Sequence, residues 1–321
     1  MILVVCARRV WLTGVAGALL LLCGCAGVPQ TRALLSDPPP ELGRSFELEE
    51  VPFFPQERYQ CGPAALATVL GWGGVEVTPE QLEPRVYLPE RQGSLQAELI
   101  AAARRYQRIS YPLDPVLTAV LREVKAGHPV LVLQNLAFSW YPRWHYAVVV
   151  GFDLERREVV LRSGTHKRHI QSLRSFEYTW RRAGHWAVVM LDASFVPATA
   201  SEQRYLRAVL GFEQTGDWVT AAAAYRAAAG HWPASAGAWF GLGNAVYQLH
   251  DLNGAETAFR RVLELRPEFP SALNNLALVL FEQGNADEAV VLAQRALATD
   301  PYNPEFQATL DEIMLRLSGH P

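Results

Sequence analysis

An internal repeat of 34 residues governs the C-terminal third of the chain. Pro233, Pro267 and Pro301 follow one another at this interval, and Ala255 and Ala289 share a second position of the same register. A unit of this length is typical of two packed helices, with small residues where they touch and a proline after the second helix. Because such a unit buries its apolar face only against its neighbours, the period predicts a solenoid of stacked helix pairs.

One unit carries most of the recurring positions. In chain order these are Trp239, Leu242, Gly243, Tyr247, Ala255, Phe259 and Pro267. The pattern resembles the tetratricopeptide repeat, and the resemblance covers residues 202–317. We expect about three repeats, starting near residues 202, 236 and 270, and a last helix over about 303–317 that caps the open end. The resemblance implies that the array binds a peptide or protein partner in a concave groove, and a spacer that binds nothing is the alternative.

The first 25 residues have the pattern of a targeting segment. Arg8 and Arg9 precede an apolar run, residues 10–22, that is typical of a secretory signal and too short for a transmembrane helix. The run ends in Leu-Cys-Gly-Cys at residues 22–25, which resembles a bacterial lipobox. The resemblance implies a signal peptide over residues 1–24 and a lipidated Cys25. In the resembled lipoproteins, Asp after the lipidated cysteine favours the inner membrane. Ala26 stands at that position here, which implies a location on the periplasmic face of the outer membrane. A simple cleaved signal and an uncleaved anchor are the alternatives.

Residues 25–50 are expected to be a tether between the lipid and the first domain. Pro38, Pro39 and Pro40 lack backbone N–H donors and have a fixed φ, so the stretch around them is expected to form neither helix nor sheet. A segment of this composition acts as a semi-rigid spacer.

Residues 51–196 combine helices and strands in α+β order. Their pattern predicts a helix that starts at Cys61 and further helices over about 94–105 and 115–126. Short apolar runs then predict buried strands, at residues 129–134, 145–151, 158–163 and 185–191. Helices followed by consecutive strands predict an antiparallel sheet with the helices segregated in sequence.

Cys61 is the only cysteine after residue 25, so no disulfide can form within the rest of the chain. A lone thiol of this kind is either buried and inert or kept for its reactivity. Pro63 suits the first turn of a helix, which places Cys61 at the helix N-terminus. Because the helix macrodipole stabilises an anion there, the position favours a reactive thiolate.

Four segments resemble the C39-like branch of the papain-like cysteine peptidases. They are Gln56, the run Cys61–Ala64, the run Gly127–Val130 and the strand His145–Gly151. The resemblance implies that Cys61 is the nucleophile and that His145 forms an ion pair with its thiolate and then protonates the leaving amine. It also implies that Gln56 donates to the oxyanion together with the backbone N–H of Cys61. Gln60 is the poorer oxyanion candidate, because its side chain is expected to point elsewhere.

The family's usual third residue, an Asp or Asn that orients the histidine, is missing. The segment where it is expected reads Leu-Arg-Ser-Gly at residues 161–164. Ser163 is the replacement candidate, although a hydroxyl orients an imidazole more weakly. Asn135 is a second candidate if its strand neighbours His145, and Asp153 is expected to lie too far away.

These features predict a membrane-anchored periplasmic cysteine peptidase that hydrolyses a peptide or another amide bond without a cofactor or a metal. His185 opens a strand similar to that of His145 and is the rival base. His166 and His169 have no Cys, Asp or Glu nearby to complete a metal set and are expected to be solvated loop residues. A net charge of −3 without a basic stripe argues against a nucleic-acid partner.

Two other functions remain open at this point. The first alternative is an inactive C39-like domain that acts with the repeats as a protein-binding scaffold. The missing third catalytic residue favours it. The second alternative is an acyl- or peptidyl-transferase, because hydrolysis and transfer begin with the same acyl-enzyme.

Overall fold

The computed structural model of the chain describes residues 27–55, 60–91 and 93–319. The predicted signal peptide (residues 1–24), Cys25 and Gln56 lie outside these ranges. Within them, no helix has both the length and the apolar character that crossing a bilayer requires.

The first domain is built from short helices around an antiparallel sheet. Its helices are α1 (Pro29–Ser36), α2 (Cys61–Trp72), α3 (Pro79–Val86), α4 (Gln96–Arg105), α5 (Leu117–Lys125) and α6 (Leu173–Arg181), with single 3-10 turns at Pro40–Leu42 and Pro89–Arg91. Its strands are β1 (Ser45–Glu47), β2 (Arg108–Pro112), β3 (Val130–Asn135), β4 (Trp144–Asp153), β5 (Glu158–Ser163), β6 (His166–Ser172) and β7 (Ala187–Asp192).

The strands form one sheet in the order β2-β7-β3-β4-β5-β6, with β1 added to β4. Every pairing is antiparallel. All six residues of β3 are buried, and successive side chains of a strand point to opposite faces, so helices must cover the sheet on both sides. Helix α2 packs against β4 and helix α6 against β3. The predicted α+β class is confirmed.

Three strands were not predicted from the sequence, and each has a weak apolar pattern. Strand β1 has only three residues, and β2 ends in a proline. Strand β6 reads His-Lys-Arg-His-Ile-Gln-Ser and is largely exposed. His166 and His169 therefore lie on a strand, and the prediction that they are loop residues is wrong.

The predicted tether over residues 25–50 is wrong for residues 29–47, which pack against the domain. The carboxylate of Glu177 in α6 is fully buried and accepts the backbone amides of Gln30 at 3.1 Å and Thr31 at 2.6 Å. These amides belong to the first turn of α1, where a helix has unpaired N–H groups and a positive dipole end. Leu34 and Leu42 of this segment are also buried, as part of the apolar core.

The prolines of this segment do not prevent its folding, because they occupy positions that need no donor. Pro29 starts α1 and Pro40 starts a 3-10 turn, and the missing N–H of proline does no harm in a first turn. Beyond them, Phe46 of β1 pairs with Phe152 of β4.

The second domain is a series of antiparallel helix pairs. The helices are α7 (Glu202–Glu213), α8 (Trp218–His231), α9 (Ala236–Gln248), α10 (Leu252–Leu265), α11 (Pro270–Glu282), α12 (Ala286–Thr299) and α13 (Pro304–Leu317). A side chain at Gly243 of α9 would come within 2.5 Å of the Phe259 ring of α10, so the repeat requires a glycine there. Three pairs and a capping helix confirm the predicted repeat array.

The two domains share a packed junction. The hydroxyl of Tyr205 in α7 donates to the carbonyl of Phe195, and the buried carboxylate of Glu123 accepts the backbone amides of Ala198 and Thr199. Helix α7 also contacts β2. The segment between the domains is therefore held against the first domain by buried hydrogen bonds.

Candidate active site

Cys61 is the first residue of α2, at the end of the helix that meets β4. Its side chain is half-buried, and the backbone N–H groups of Tyr146 and Gly62 lie close enough to its sulfur to act on the pKa of the thiol. Tyr146 directly follows His145 in β4. The structure therefore places the predicted nucleophile against the strand position next to the predicted base.

Burial favours the neutral forms of both groups. It raises the pKa of the Cys61 thiol, although the amides of Tyr146 and Gly62 act in the opposite direction. Burial also lowers the pKa of His145 to about 4, and the nearby charges of Arg143 and His169 add to this shift. Near pH 7 these directions favour a thiol and a neutral imidazole over the predicted thiolate–imidazolium ion pair.

Ser163 lies at the place that the sequence assigned to a third residue. Its Oγ is 2.8 Å from Nε2 of His145, across the pairing of β4 with β5. A hydroxyl both donates and accepts, so Ser163 holds the imidazole in place without selecting its tautomer as a carboxylate would. With Nε2 bonded to Ser163, Nδ1 is the nitrogen left for proton transfer.

The other candidates for orienting or replacing His145 are engaged elsewhere. The side-chain oxygen of Asn135 accepts the amides of Ala137 and Arg143, which closes the loop between β3 and β4. Asp153 accepts the amide of Arg156 in the turn at the far end of β4.

The rival base and the poorer oxyanion candidate also lie in other surroundings. Nε2 of His185 is 3.4 Å from Nε2 of Gln30, and its ring meets the Trp180 ring edge-on at 4.7 Å. Gln60 directs its side-chain amide to Glu83 of α3 at 3.4 Å.

Sequence reasoning missed Ser94, which lies against the start of α2. A side chain at Gly62 would come within 2.2 Å of Ser94 Oγ, so glycine is needed after Cys61 for this approach. The Tyr146 hydroxyl donates to the Ser94 carbonyl at 3.2 Å. Ser94 Oγ is buried, and among the described residues it has no hydrogen-bond partner. No local pattern marks Ser94, because its role depends on contacts with residues 62 and 146.

Arg162 supports the segment that leads to the site. It is only 2% exposed, and its guanidinium donates to the carbonyls of Leu48 (3.3 Å), Glu49 (2.7 Å), Val51 (3.1 Å) and Lys167 (2.8 Å). In the resembled family, an acidic or amide residue is expected in this stretch of β5. Here a buried cation holds the backbone of residues 48–51, which runs toward Gln56 and Cys61.

The described residues show no cluster of side chains suited to binding a metal ion. No group of three or more His, Cys, Asp and Glu side chains there is arranged to hold an ion.

The first domain thus combines a helix that starts at Cys61 with an antiparallel strand that carries His145. Residues 48–188 match the Peptidase_C39 like family. Residues 206–261 and 242–304 match the Tetratricopeptide repeat family, whose repeats support interactions between proteins. The predicted combination of a C39-like domain followed by tetratricopeptide repeats is confirmed.

Individual proteins resemble one part of the chain each. A protein of Bacillus anthracis solved as a C39-like peptidase is 18% identical, with a TM-score of 0.39 over 46% of this chain and 97% of its own. The first TPR domain of human RPAP3 is 18% identical, with a TM-score of 0.36 over 37% of this chain and 93% of its own. The BBSome complex member bbs-4 of Caenorhabditis elegans is 33% identical over 79 residues, which is 25% of this chain and 17% of that protein.

Proposed function

We propose that the protein is a thiol hydrolase that cleaves a peptide or another amide bond. The observation that carries the proposal is the packing of α2, which starts at Cys61, against β4, whose His145 has its Nε2 2.8 Å from Ser163 Oγ. Nucleophile, base and orienting group are thus supplied by α2, β4 and β5, in the chain order of the C39-like family.

In this mechanism the resting pair is neutral and the proton moves during attack. The Cys61 sulfur bonds to the carbonyl carbon while its proton passes to Nδ1 of His145. The developing oxyanion is held by the backbone N–H of Cys61, at the positive end of α2, and by the side-chain amide of Gln56. The C–N bond then breaks, the amine leaves with the proton from His145, and a thioester remains on Cys61.

Water completes the reaction by the same route in reverse. His145 accepts a proton from water as its oxygen adds to the thioester carbon, and the sulfur departs and takes the proton back. The products are a carboxylic acid, an amine and the free thiol.

The cellular setting is part of the proposal. Lipidation of Cys25 would anchor the protein to the periplasmic face of the outer membrane, and the concave side of the repeats would hold a peptide or protein partner. The lipobox at residues 22–25 and the repeat match support these two parts respectively.

The hydrolase proposal is tested with an activated ester, because its natural substrate need not be known. The full-length protein is mixed with p-nitrophenyl acetate, and released nitrophenolate and the intact mass of the protein are followed together. We expect a burst, an acetyl group on Cys61, and then steady turnover. In His145→Gln, acetylation should be slow and the adduct should persist, because no base activates water. Cys61→Ala should show no burst.

Two observations favour a second function, a protein-binding scaffold without catalysis. The orienting position carries a hydroxyl instead of a carboxylate, and the pKa of Cys61 is raised instead of lowered. In that case Cys61 should react no faster than a free cysteine, and His145→Gln should leave the rate unchanged.

A further inference from the structure

An exposed aromatic surface lies directly beside the candidate site. We call residues 136–143, which connect β3 to β4, together with Trp144, the aromatic loop. Phe138, Trp140, Tyr141 and Trp144 are 61%, 81%, 70% and 53% exposed. The loop is nevertheless well formed, because the Phe138 and Trp140 rings stack at 5.5 Å and the side chain of Asn135 closes its base. Its rings are therefore held outward by a defined backbone.

The charges around the aromatic loop are cationic. Arg143 belongs to the loop, and Arg182 at the end of α6 donates to the Asn135 carbonyl at 2.8 Å. Arg181 and Arg182 both lie over the Tyr178 ring, at 5.4 and 4.5 Å from its centre. No acidic residue occurs in residues 136–144. The surface thus combines aromatic rings with arginines, which suits an anionic interface.

The described part of the chain begins at the same corner of the domain. Arg181 donates to the carbonyl of Gly27 at 3.0 Å. Gly27, the first described residue, therefore lies next to Arg181 and Arg182. Cys25 precedes Gly27 by two residues, which span at most about 7 Å. Because residues 29–47 are packed against the domain, no long spacer separates a lipid on Cys25 from the aromatic loop.

We infer that the aromatic loop docks into the interface of a bilayer that contains anionic phospholipids. This inference rests on the lipid anchor of the proposed function. Tryptophan and tyrosine rings favour the membrane interface, and arginines are attracted to anionic headgroups. The short connection to Cys25 then holds the loop at the surface. Since Trp144 immediately precedes His145, docking places the Cys61–His145 site beside the membrane, within reach of membrane-attached substrates.

Fluorescence quenching by lipids tests the docking. The full-length protein is reconstituted into vesicles of phosphatidylethanolamine and phosphatidylglycerol that contain a brominated phospholipid. We expect the bromolipid to quench part of the tryptophan fluorescence, and Trp140→Phe to lower this quenching by about twofold, because the ring is lost from the interface. Trp239→Phe in the solenoid is the matched control and should quench like the unchanged protein. A triple serine variant at positions 138, 140 and 141 should lower the quenching further.

Two results would overturn the inference. The first is quenching that Trp140→Phe does not alter, in protein that still floats with the vesicles. The second is a pair of results: the bromolipid does not quench the loop tryptophans, and the triple serine variant hydrolyses a soluble peptide more slowly. Together they would mean that the aromatic rings bind substrate and not lipid. Flotation of Cys25→Ala is measured separately: if it floats like the unchanged protein, the lipid anchor fails, and the quenching comparison still decides whether the loop docks.

Discussion

Arg162 offers a sharp test of how the site is supported, because one side chain holds four backbone carbonyls. Methionine at this position keeps most of the volume and removes every donor. The bonds to Leu48 and Val51 are buried, and the other two are reachable by water. Each buried carbonyl left without a donor costs about 1–3 kcal/mol, which gives about 2–6 kcal/mol for the two buried ones.

Removing the buried charge offsets part of this cost. Burial lowers the pKa of Arg162, the direction expected for a cation that has lost part of its hydration. For Arg162→Met we therefore expect a net loss of about 2–4 kcal/mol in the free energy of unfolding. Urea unfolding followed by circular dichroism measures this loss. Hydrogen exchange of residues 45–51 should show where it arises.

Arg168→Met is the matched control for Arg162→Met. Arg168 lies on the adjacent strand β6 and forms a two-pronged ion pair with Glu47, but its side chain is 54% exposed. An exposed pair of this kind contributes at most about 1 kcal/mol. Equal losses in the two variants, or unchanged exchange at residues 45–51 in Arg162→Met, would refute the role given to Arg162.

Three further predictions concern His145, Ser163 and Glu177. Because the pKa of His145 is lowered to about 4 in the folded protein, the unfolded chain binds a proton first as the pH falls below about 6.5. The stability contributed by the neutral imidazole is thus present above about pH 6.5 and lost toward pH 4, so unfolding free energy should fall more steeply there than in His145→Gln. Ser163→Ala should slow turnover of the activated ester by about 2–10-fold, the worth of one neutral hydrogen bond, and an unchanged rate would remove Ser163 from the site. Glu177→Ala should expose Arg32 in α1 to trypsin while the sheet stays folded, and continued protection of Arg32 would contradict the anchoring of α1.

The parts of the fold that could be predicted from the sequence are those determined by residues close to one another in the chain. The 34-residue period marks each helix pair because residues such as Phe259 pack against the other helix of the same unit, where Phe240 and Gly243 lie. Strands β3 and β4 show as unbroken apolar runs because both of their faces are covered. The helix at Cys61 is marked by the proline that follows in its first turn.

The parts that could not be predicted depend on distant residues. Helix α1 is held by Glu177, whose partner Gln30 lies 147 positions earlier in the chain. Ser94 is positioned by its close approach to Gly62 and by the hydrogen bond that the Tyr146 hydroxyl donates to its carbonyl. The raised pKa of Cys61 and the lowered pKa of His145 follow mainly from burial, which only the assembled domain creates.

The central claim is that the sulfur of Cys61 and the imidazole of His145 work as one site. A short bifunctional alkylating reagent, 1,3-dibromoacetone, tests it directly by joining a thiol to a nearby nitrogen. After proteolysis and mass spectrometry, we expect the peptide with Cys61 to be linked to the peptide with His145, and His145→Gln to retain only a single adduct on Cys61. A link from Cys61 to another histidine such as His169, or no link at all in the unchanged protein, would contradict the claim.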